Sequence, residues 1–316
     1  MEQDPPLSWS PPAPATVTRV AVLGAGGVGG FVAAALDRSG ENVTVVAREA
    51  TAATLGDRGL RIRSVVLGEF EARPAVVTEL ADEIDILFVA TKATGLDAGL
   101  ERIVGVPRVV IPLLNGLEHL DVLRERFGDE RVAAAVIRIE SDRPAAGEIV
   151  QTSPGCRVDL AVASAQPVAV ERAAAILERA GIAVRTGAGE ATVMWSKLAR
   201  LCPLALTTSA SDRAIGFVRS DPRWRSALEG AINETVRVAN ADGAGLDPAD
   251  TVAELAAAPA ELGSSMQRDV AAGREPELDA IAGAVLRAGE RHGLSCPTVQ
   301  WLADQVATHA GIPWIV

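Results

Sequence analysis

The run Val20-Ala21-Val22-Leu23-Gly24-Ala25-Gly26-Gly27-Val28-Gly29-Gly30 constrains the chain more than any other segment. Apolar residues lead straight into Gly24-x-Gly26-x-x-Gly29, and Phe31-Val32-Ala33-Ala34-Ala35-Leu36 follows. The pattern predicts a buried strand, a tight turn and the start of a helix. Each glycine has its own duty there. Gly24 takes the turn out of the strand, Gly26 lets backbone approach a pyrophosphate, and Gly29 lets the helix lie close to the sheet. The helix N-terminus aims free N–H groups and a positive dipole end at the phosphates. Dinucleotide binding is the reading favoured over a turn that needs glycines for packing alone.

The next strand bears on which dinucleotide. After Gly40, Asn42-Val43-Thr44-Val45-Val46-Ala47 reads as a second parallel strand. An NAD-type site ends this strand in Asp or Glu, which accepts from the ribose hydroxyls. Here Arg48 stands at that point, followed by Glu49. A guanidinium forks onto a 2′-phosphate that a carboxylate would repel. The pattern favours NADP. A solvated Arg48, or a Glu49 that reaches the ribose, is the competing reading.

The chain has 316 residues, 48% of them apolar and 22% charged, enough for two domains with separate cores. Residues 1–18 differ: Pro5, Pro6, Pro11, Pro12 and Pro14 make a disordered, stiff leader without the features of a signal peptide. No apolar run reaches membrane-spanning length. Cys156, Cys202 and Cys296 are too few and too scattered for a disulfide framework or a metal cluster, which points to the cytoplasm. A net charge of −11 argues against nucleic-acid and anionic-membrane partners.

Strand and helix signals alternate first. Strands are expected at Arg19–Leu23, Val43–Ala47, Asp85–Thr91 and Arg108–Leu113, and helices at Val28–Ser39, Thr94–Val104 and Leu117–Phe127. A hairpin is expected over Leu60–Arg63 and Glu69–Ala72. Further strands at Val132–Ile139, Glu148–Thr152, Arg157–Ala163 and Ala183–Arg185, with a helix at Pro167–Ala180, would extend the parallel core sheet with antiparallel strands. Beyond about Ala188 the β-rich runs stop. Helices are expected at Ala191–Cys202, Pro222–Ala241, Thr251–Ala258, Ser264–Ala272, Glu277–His292 and Pro297–Thr308. The fold class is α/β: a Rossmann-type dinucleotide-binding domain over 19–188, then an all-α domain over 189–316 with a ligand cleft between them.

Four further segments carry a resemblance. Met194-Trp195-Ser196-Lys197-Leu198-Ala199 resembles the W-x-K-L motif of ketopantoate reductases. Ser264-Ser265-Met266-Gln267-Arg268-Asp269 with Glu277-Leu278-Asp279-Ala280-Ile281-Ala282-Gly283 is similar to that family's S-S-M-x-x-D…E-I-D-x-I-N-G segment. Leu114-Asn115-Gly116 is similar to its Q-N-G turn, and Thr91-Lys92 to its strand-ending lysine. The resemblance implies a second domain like the C-terminal domain of 6-phosphogluconate dehydrogenase, and NADPH-dependent reduction of a 2-oxo acid, by default ketopantoate to pantoate in pantothenate biosynthesis.

It also implies roles. Lys197 would be general acid and electrostatic stabiliser of the alkoxide. Glu277 would hold the substrate hydroxyl or orient the lysine, and Ser265 would bind the carboxylate. Asn115 would reach substrate or nicotinamide ribose, and Lys92 would lie near Arg48 at the adenosine phosphate. Each has a plainer reading. Lys197 suits a surface position on an amphipathic helix, Glu277 a first-turn acid, Ser264 or Ser265 an N-cap, Asn115-Gly116 an ordinary turn, and Lys92 a solvated strand end.

The chain departs from the family where asparagines would contact substrate: Leu201, Ala205 and Ala282 stand there. Polar readout is lost while the lysine–glutamate pair remains. A reductase of a different, less polar carbonyl metabolite is therefore the alternative, and an NADP-binding sensor without turnover the second. The partner is a small molecule, and the expected assembly a monomer or homodimer.

Overall fold

The computed structural model describes residues 18–161 and 166–314. Residues 1–17 of the proline-rich leader, and Val162 and Ala163 of the expected strand, lie outside the described residues.

In chain order, β1 (Arg19–Leu23), α1 (Gly27–Arg38), β2 (Asn42–Val46) and α2 (Glu49–Arg58) come first. They are followed by β3 (Leu60–Ser64), β4 (Gly68–Ala72), β5 (Ala75–Val77) and β6 (Ile84–Val89). A short 3-10 turn at Ala93–Gly95 then leads to α3 (Leu96–Leu100), β7 (Pro107–Pro112) and α4 (His119–Phe127). Next come β8 (Ala135–Arg138), β9 (Ser141–Ala145), β10 (Glu148–Gln151), β11 (Arg157–Leu160), α5 (Pro167–Arg179) and β12 (Ala183–Arg185).

The core sheet is parallel, in the order β5-β2-β1-β6-β7. Its strands are apolar on both faces because both are covered. Val20, Val22, Val43, Val45, Ile86 and Phe88 feed one buried cluster, while Ala21, Leu23, Val46, Leu87 and Val89 feed another. The strand order reverses between β1 and β6, so a crevice opens at their carboxyl ends, the usual place for a ligand in such sheets.

The glycine motif sits at that crevice. Gly24 has φ +99°, and a Cβ there would lie 2.9 Å from the Ala90 carbonyl oxygen at the end of β6. At Gly29 a Cβ would fall 1.9 Å from the Gly24 carbonyl oxygen, so no other residue allows this approach. At Gly26 a Cβ would meet nothing within 4 Å.

One expectation is corrected here. The expected extension of the core sheet is met on one side only. Val132, just before β8, bridges Val110 of β7 in parallel, so the β12-β11-β8 sheet adjoins that edge. The hairpin β3–β4 instead joins β10 and β9 in a separate sheet, β4-β3-β10-β9. The reason is α1, buried from Gly29 to Leu36. Its Gly29 side faces the core sheet and its Gly30 side faces Ile149 of β10, so the second sheet is held a helix away. The expected helix over Thr94–Val104 shortens to the 3-10 turn and α3, and α2 was not anticipated. Leu55 is its one buried residue, so it has no apolar stripe to read.

The second part is helical: α6 (Glu190–Ser211), α7 (Ile215–Ser220), α8 (Pro222–Ala241), α9 (Pro248–Ala257) and α10 (Ser265–Ala271). A single π-helical turn at Asp279–Gly283 then runs into α11 (Ala284–Arg291), and α12 (Pro297–Ala310) ends the domain. Asp221 and Asp247 cap α8 and α9 as their Asp-Pro pairs imply. The N-cap of α12 is Cys296, which makes no side-chain cap bond; instead the carboxylate of Glu234 accepts from Thr298 N and Val299 N at 2.9 Å each. Helix α6 continues nine residues past its expected end at Cys202, through Pro203. Everything from Cys202 to Ala210 is buried, and this packing outweighs the hydrogen bond that proline removes. No helix among the described residues is long and apolar enough to cross a membrane.

The glycine geometry gives a paired test. Gly29→Ala forces Cβ into carbonyl oxygen and lowers the thermal midpoint by about 5 °C or more, whereas Gly26→Ala leaves it within about 2 °C and shows its effect on dinucleotide affinity instead. Thermal unfolding and a cofactor titration of both variants check this.

Candidate active site

Lys197 lies in the second turn of α6. Trp195 and Leu198 point into the helical core at 2% exposure each, and Trp195 Nε1 donates to Asp242 Oδ2 at 3.0 Å, which fixes the rotation of this turn. Lys197 is left on the other side, partly buried, with no hydrogen bond or ion pair from its ammonium among the described residues. Its environment lowers its pKa to about 8. Burial is the main cause, Arg138 acts in the same direction through its charge, and Glu277 opposes both.

Glu277 stands just before the π-helical turn, and both of its oxygens are taken by the first domain. Oε1 accepts from the backbone N–H of Ala93 at 3.1 Å, and Oε2 accepts from Asn115 Nδ2 at 3.0 Å. Ala93 lies beyond the end of β6 and Asn115 beyond the end of β7, so the carboxylate is seated over the carboxyl ends of adjacent parallel strands. Gly116, the residue after Asn115, has φ +89°, and a Cβ there would lie 2.3 Å from the Ala280 carbonyl oxygen. The Asn-Gly turn is thus where the two backbones touch.

The other expected residues divide. Lys92 lies just beyond the end of β6. Its Nζ lies 2.8 Å from Asp269 Oδ2 on α10, and Arg274 holds the other oxygen of that carboxylate at 2.8 Å. This ion pair links the end of β6 to the second domain. Ser264 is the N-cap: its hydroxyl accepts from Gln267 N at 3.0 Å and pairs with Thr208 Oγ1 at 2.9 Å. Ser265, one residue on, is exposed, and its hydroxyl has no partner among the described residues. Leu201 is partly buried, while Ala205 and Ala282 are fully buried in the helical core.

Two residues near Lys197 were not anticipated. His119, the first residue of α4, is 5% exposed, and its Nε2 is buried without a partner. Burial first and the Lys197 charge second push its pKa down to about 3 against the support of the Asn115 backbone, so the ring is neutral. Arg138 ends β8 and donates to the hydroxyl of Ser196, the neighbour of Lys197, at 3.2 Å. The signal for His119 was its place four residues after Asn115. Nothing in the sequence ties Arg138 to Ser196.

The dinucleotide cradle lies at the same edge of the core sheet. The N-cap of α1 is Gly26, with no side-chain cap and open space where a Cβ would be, which fits a pyrophosphate. Arg48 follows β2, exposed, with no hydrogen bond or salt bridge from its guanidinium among the described residues. Glu49 pairs with Arg102, whose Nη1 lies 3.0 Å from Glu49 Oε1, and this hydrogen bond keeps the carboxyl below its usual range.

Comparison with known proteins agrees with this layout. The family model described as Ketopantoate reductase PanE/ApbA matches residues 20–165, and that for the C-terminal domain of the same enzymes matches residues 191–310. A 2-dehydropantoate 2-reductase of Caulobacter vibrioides is 30% identical, over 89% of this chain and 95% of its own. One from Mycobacterium tuberculosis is 29% identical, over 94% and 99%. Among solved structures, a 2-dehydropantoate 2-reductase from Geobacter metallireducens superposes with a TM-score of 0.84 at 25% identity, covering 92% of this chain and 99% of its own. A D-mandelate dehydrogenase bound to NADH and anilino(oxo)acetate shares the fold with a TM-score of 0.84 at 21% identity, over 93% and 99%. With family models matched over both parts of the chain and a relative at 30% identity, the chain belongs to the ketopantoate reductase family.

Proposed function

We propose that the protein reduces a 2-oxo acid to the corresponding 2-hydroxy acid with NADPH, ketopantoate to pantoate being the reaction its relatives' names indicate. The observation that carries this reading is the meeting of Lys197, its pKa lowered to about 8, with Glu277 at the carboxyl ends of β6 and β7. The bound dinucleotide supplies a hydride to the carbonyl carbon. Lys197 stabilises the oxygen that takes up the carbonyl π pair and gives it a proton, leaving a neutral amine that is recharged from solvent. Glu277, held in place by Asn115 and Ala93, accepts from a substrate hydroxyl. The exposed hydroxyl of Ser265 is placed to bind the carboxylate. Lys92 acts in domain closure through Asp269.

Phosphate recognition falls to Arg48, since Glu49 is engaged by Arg102. The three free, buried cysteines fit a cytoplasmic setting.

Purified protein with NADPH and ketopantoate, followed by NADPH absorbance, tests the reading. Lys197→Ala lowers kcat by about a hundredfold or more. Because the protonated lysine is the donor, wild-type kcat/KM is flat below pH 8 and falls above it. A rate that stays level to pH 10, or survives Lys197→Ala, overturns the assignment. Arg48→Ala is expected to raise the KM for NADPH by about tenfold and leave that for NADH within about twofold.

A second reading, reduction of a bulkier or less polar 2-oxo acid, is favoured by Leu201. Of the three positions where the family carries asparagine, this one is partly exposed. Leu201→Asn then shifts the kcat/KM ratio toward ketopantoate by about tenfold, read on a panel of 2-oxo acids.

A further inference from the structure

We propose that Arg138 is a positioning residue for Lys197: its guanidinium grips the turn of α6 that carries the lysine and sets a fixed positive charge against the ammonium. The inference rests on the reading of Lys197 as proton donor.

The geometry is specific. Arg138 is the last residue of β8, after three buried ones, and its side chain is 22% exposed. Its Nη2 lies 3.2 Å from Ser196 Oγ. That hydroxyl donates its own proton to the Val193 carbonyl at 3.0 Å, so its lone pairs are what face the guanidinium. The strand end of one domain is thereby tied to the residue next to Lys197 in the other.

The charges around this contact do not cancel. Arg138 Nε lies 3.2 Å from Asp159 Oδ2, and Arg157 Nε lies 2.7 Å from Asp159 Oδ1, both on β11. Arg138 Nη1 lies 3.9 Å from Glu254 Oε1 on α9, an oxygen also held by Arg200 Nε of α6 at 2.7 Å. Among the described residues three guanidiniums share these two carboxylates, an excess of one positive charge, and Arg138 is the member of the cluster that contacts the neighbour of Lys197. A clamp between β8 and α6 needs only a donor to Ser196, not an excess cation.

The groups that act on Lys197 are few. Glu277 attracts its charged form, Arg138 repels it, and His119 is uncharged with its pKa down at about 3. Left to Glu277 alone, the lysine would keep its proton more tightly and be a weaker acid. Arg138 offsets that pull, and at fixed geometry the offset eases proton release to the nascent alkoxide.

The test separates charge from scaffolding. Arg138→Gln removes the charge and keeps a donor for Ser196; Arg138→Lys keeps the charge and loses the fork. The pH midpoint for acetylation of Lys197 by acetic anhydride, read by peptide mass spectrometry on protein without substrate, reports the lysine directly. In Arg138→Gln this midpoint, and the alkaline limb of kcat/KM, move up by about one pH unit. In Arg138→Lys both stay within about 0.3 unit of wild type.

An unshifted acetylation midpoint in Arg138→Gln, or an equal shift in Arg138→Lys, overturns the proposal. A shifted midpoint with an unmoved alkaline limb supports the charge coupling and overturns Lys197 as the proton donor. Should Arg138→Gln not fold, Glu254→Gln gives the opposite sign. It strips a carboxylate from the same cluster and is expected to lower the midpoint, and no change there counts against the proposal.

Discussion

The contact between the Glu277 carboxylate and the two donors of the first domain is the interaction on which the rest of the site depends. A backbone N–H and a side-chain amide each donate to a charged acceptor, bonds worth about 1.5–3 kcal/mol apiece. They hold the start of the π-helical turn over the ends of β6 and β7, and this fixes where α6 meets the sheet. The backbone approach at Gly116 and Ala280 requires the same juxtaposition sterically. Ion pairs around it, Lys92 with Asp269 and Arg287 with Glu118, lie at partly exposed positions and contribute less. The directional bonds to Glu277 set the register of the two domains, and the salt bridges follow from it.

What could be read from the sequence divides along a physical line. Gly24, Gly26 and Gly29 were legible because each answers a backbone constraint that no other residue satisfies, and the parallel strands because burial on both faces demands unbroken apolar runs. The Lys197 turn was legible through Trp195 and Leu198, which anchor it. Other features depend on which distant residues meet. The second sheet could not be inferred from β-patterning, since α1 decides it by being buried on both sides. Pro203 reads as a helix end, yet α6 runs on because the residues after it are all core. Nothing in the sequence pairs Lys92 with Asp269, 177 residues away.

The two serines show the same limit at single-residue scale. Both fit an N-cap in sequence, and the structure gives that task to Ser264, which Thr208 of α6 also holds. Ser265 is thereby freed, and its exposed hydroxyl costs the fold nothing. Which of the two hydroxyls the fold engages is decided by packing against α6, not by local pattern. His119 is the reverse case. Its buried Nε2 is an acceptor the fold leaves unused, at some cost, near Lys197.

The same accounting bears on the positions where the family carries asparagine. Ala205 and Ala282 are at 0% exposure, packed among Trp195, Leu198, Ile281 and Val285. An amide at either place would enter a closed apolar core, with the strain of extra volume and the penalty of an unpaired polar group. At Ala205 and Ala282 the helical domain of this chain is closed apolar packing. Leu201 alone still reaches the surface of that core. Lys197 and Glu277 are only partly buried and stand outside that apolar cluster. On the proposed reading, the second turn of α6 serves the reaction and the turns after it shape what is reduced.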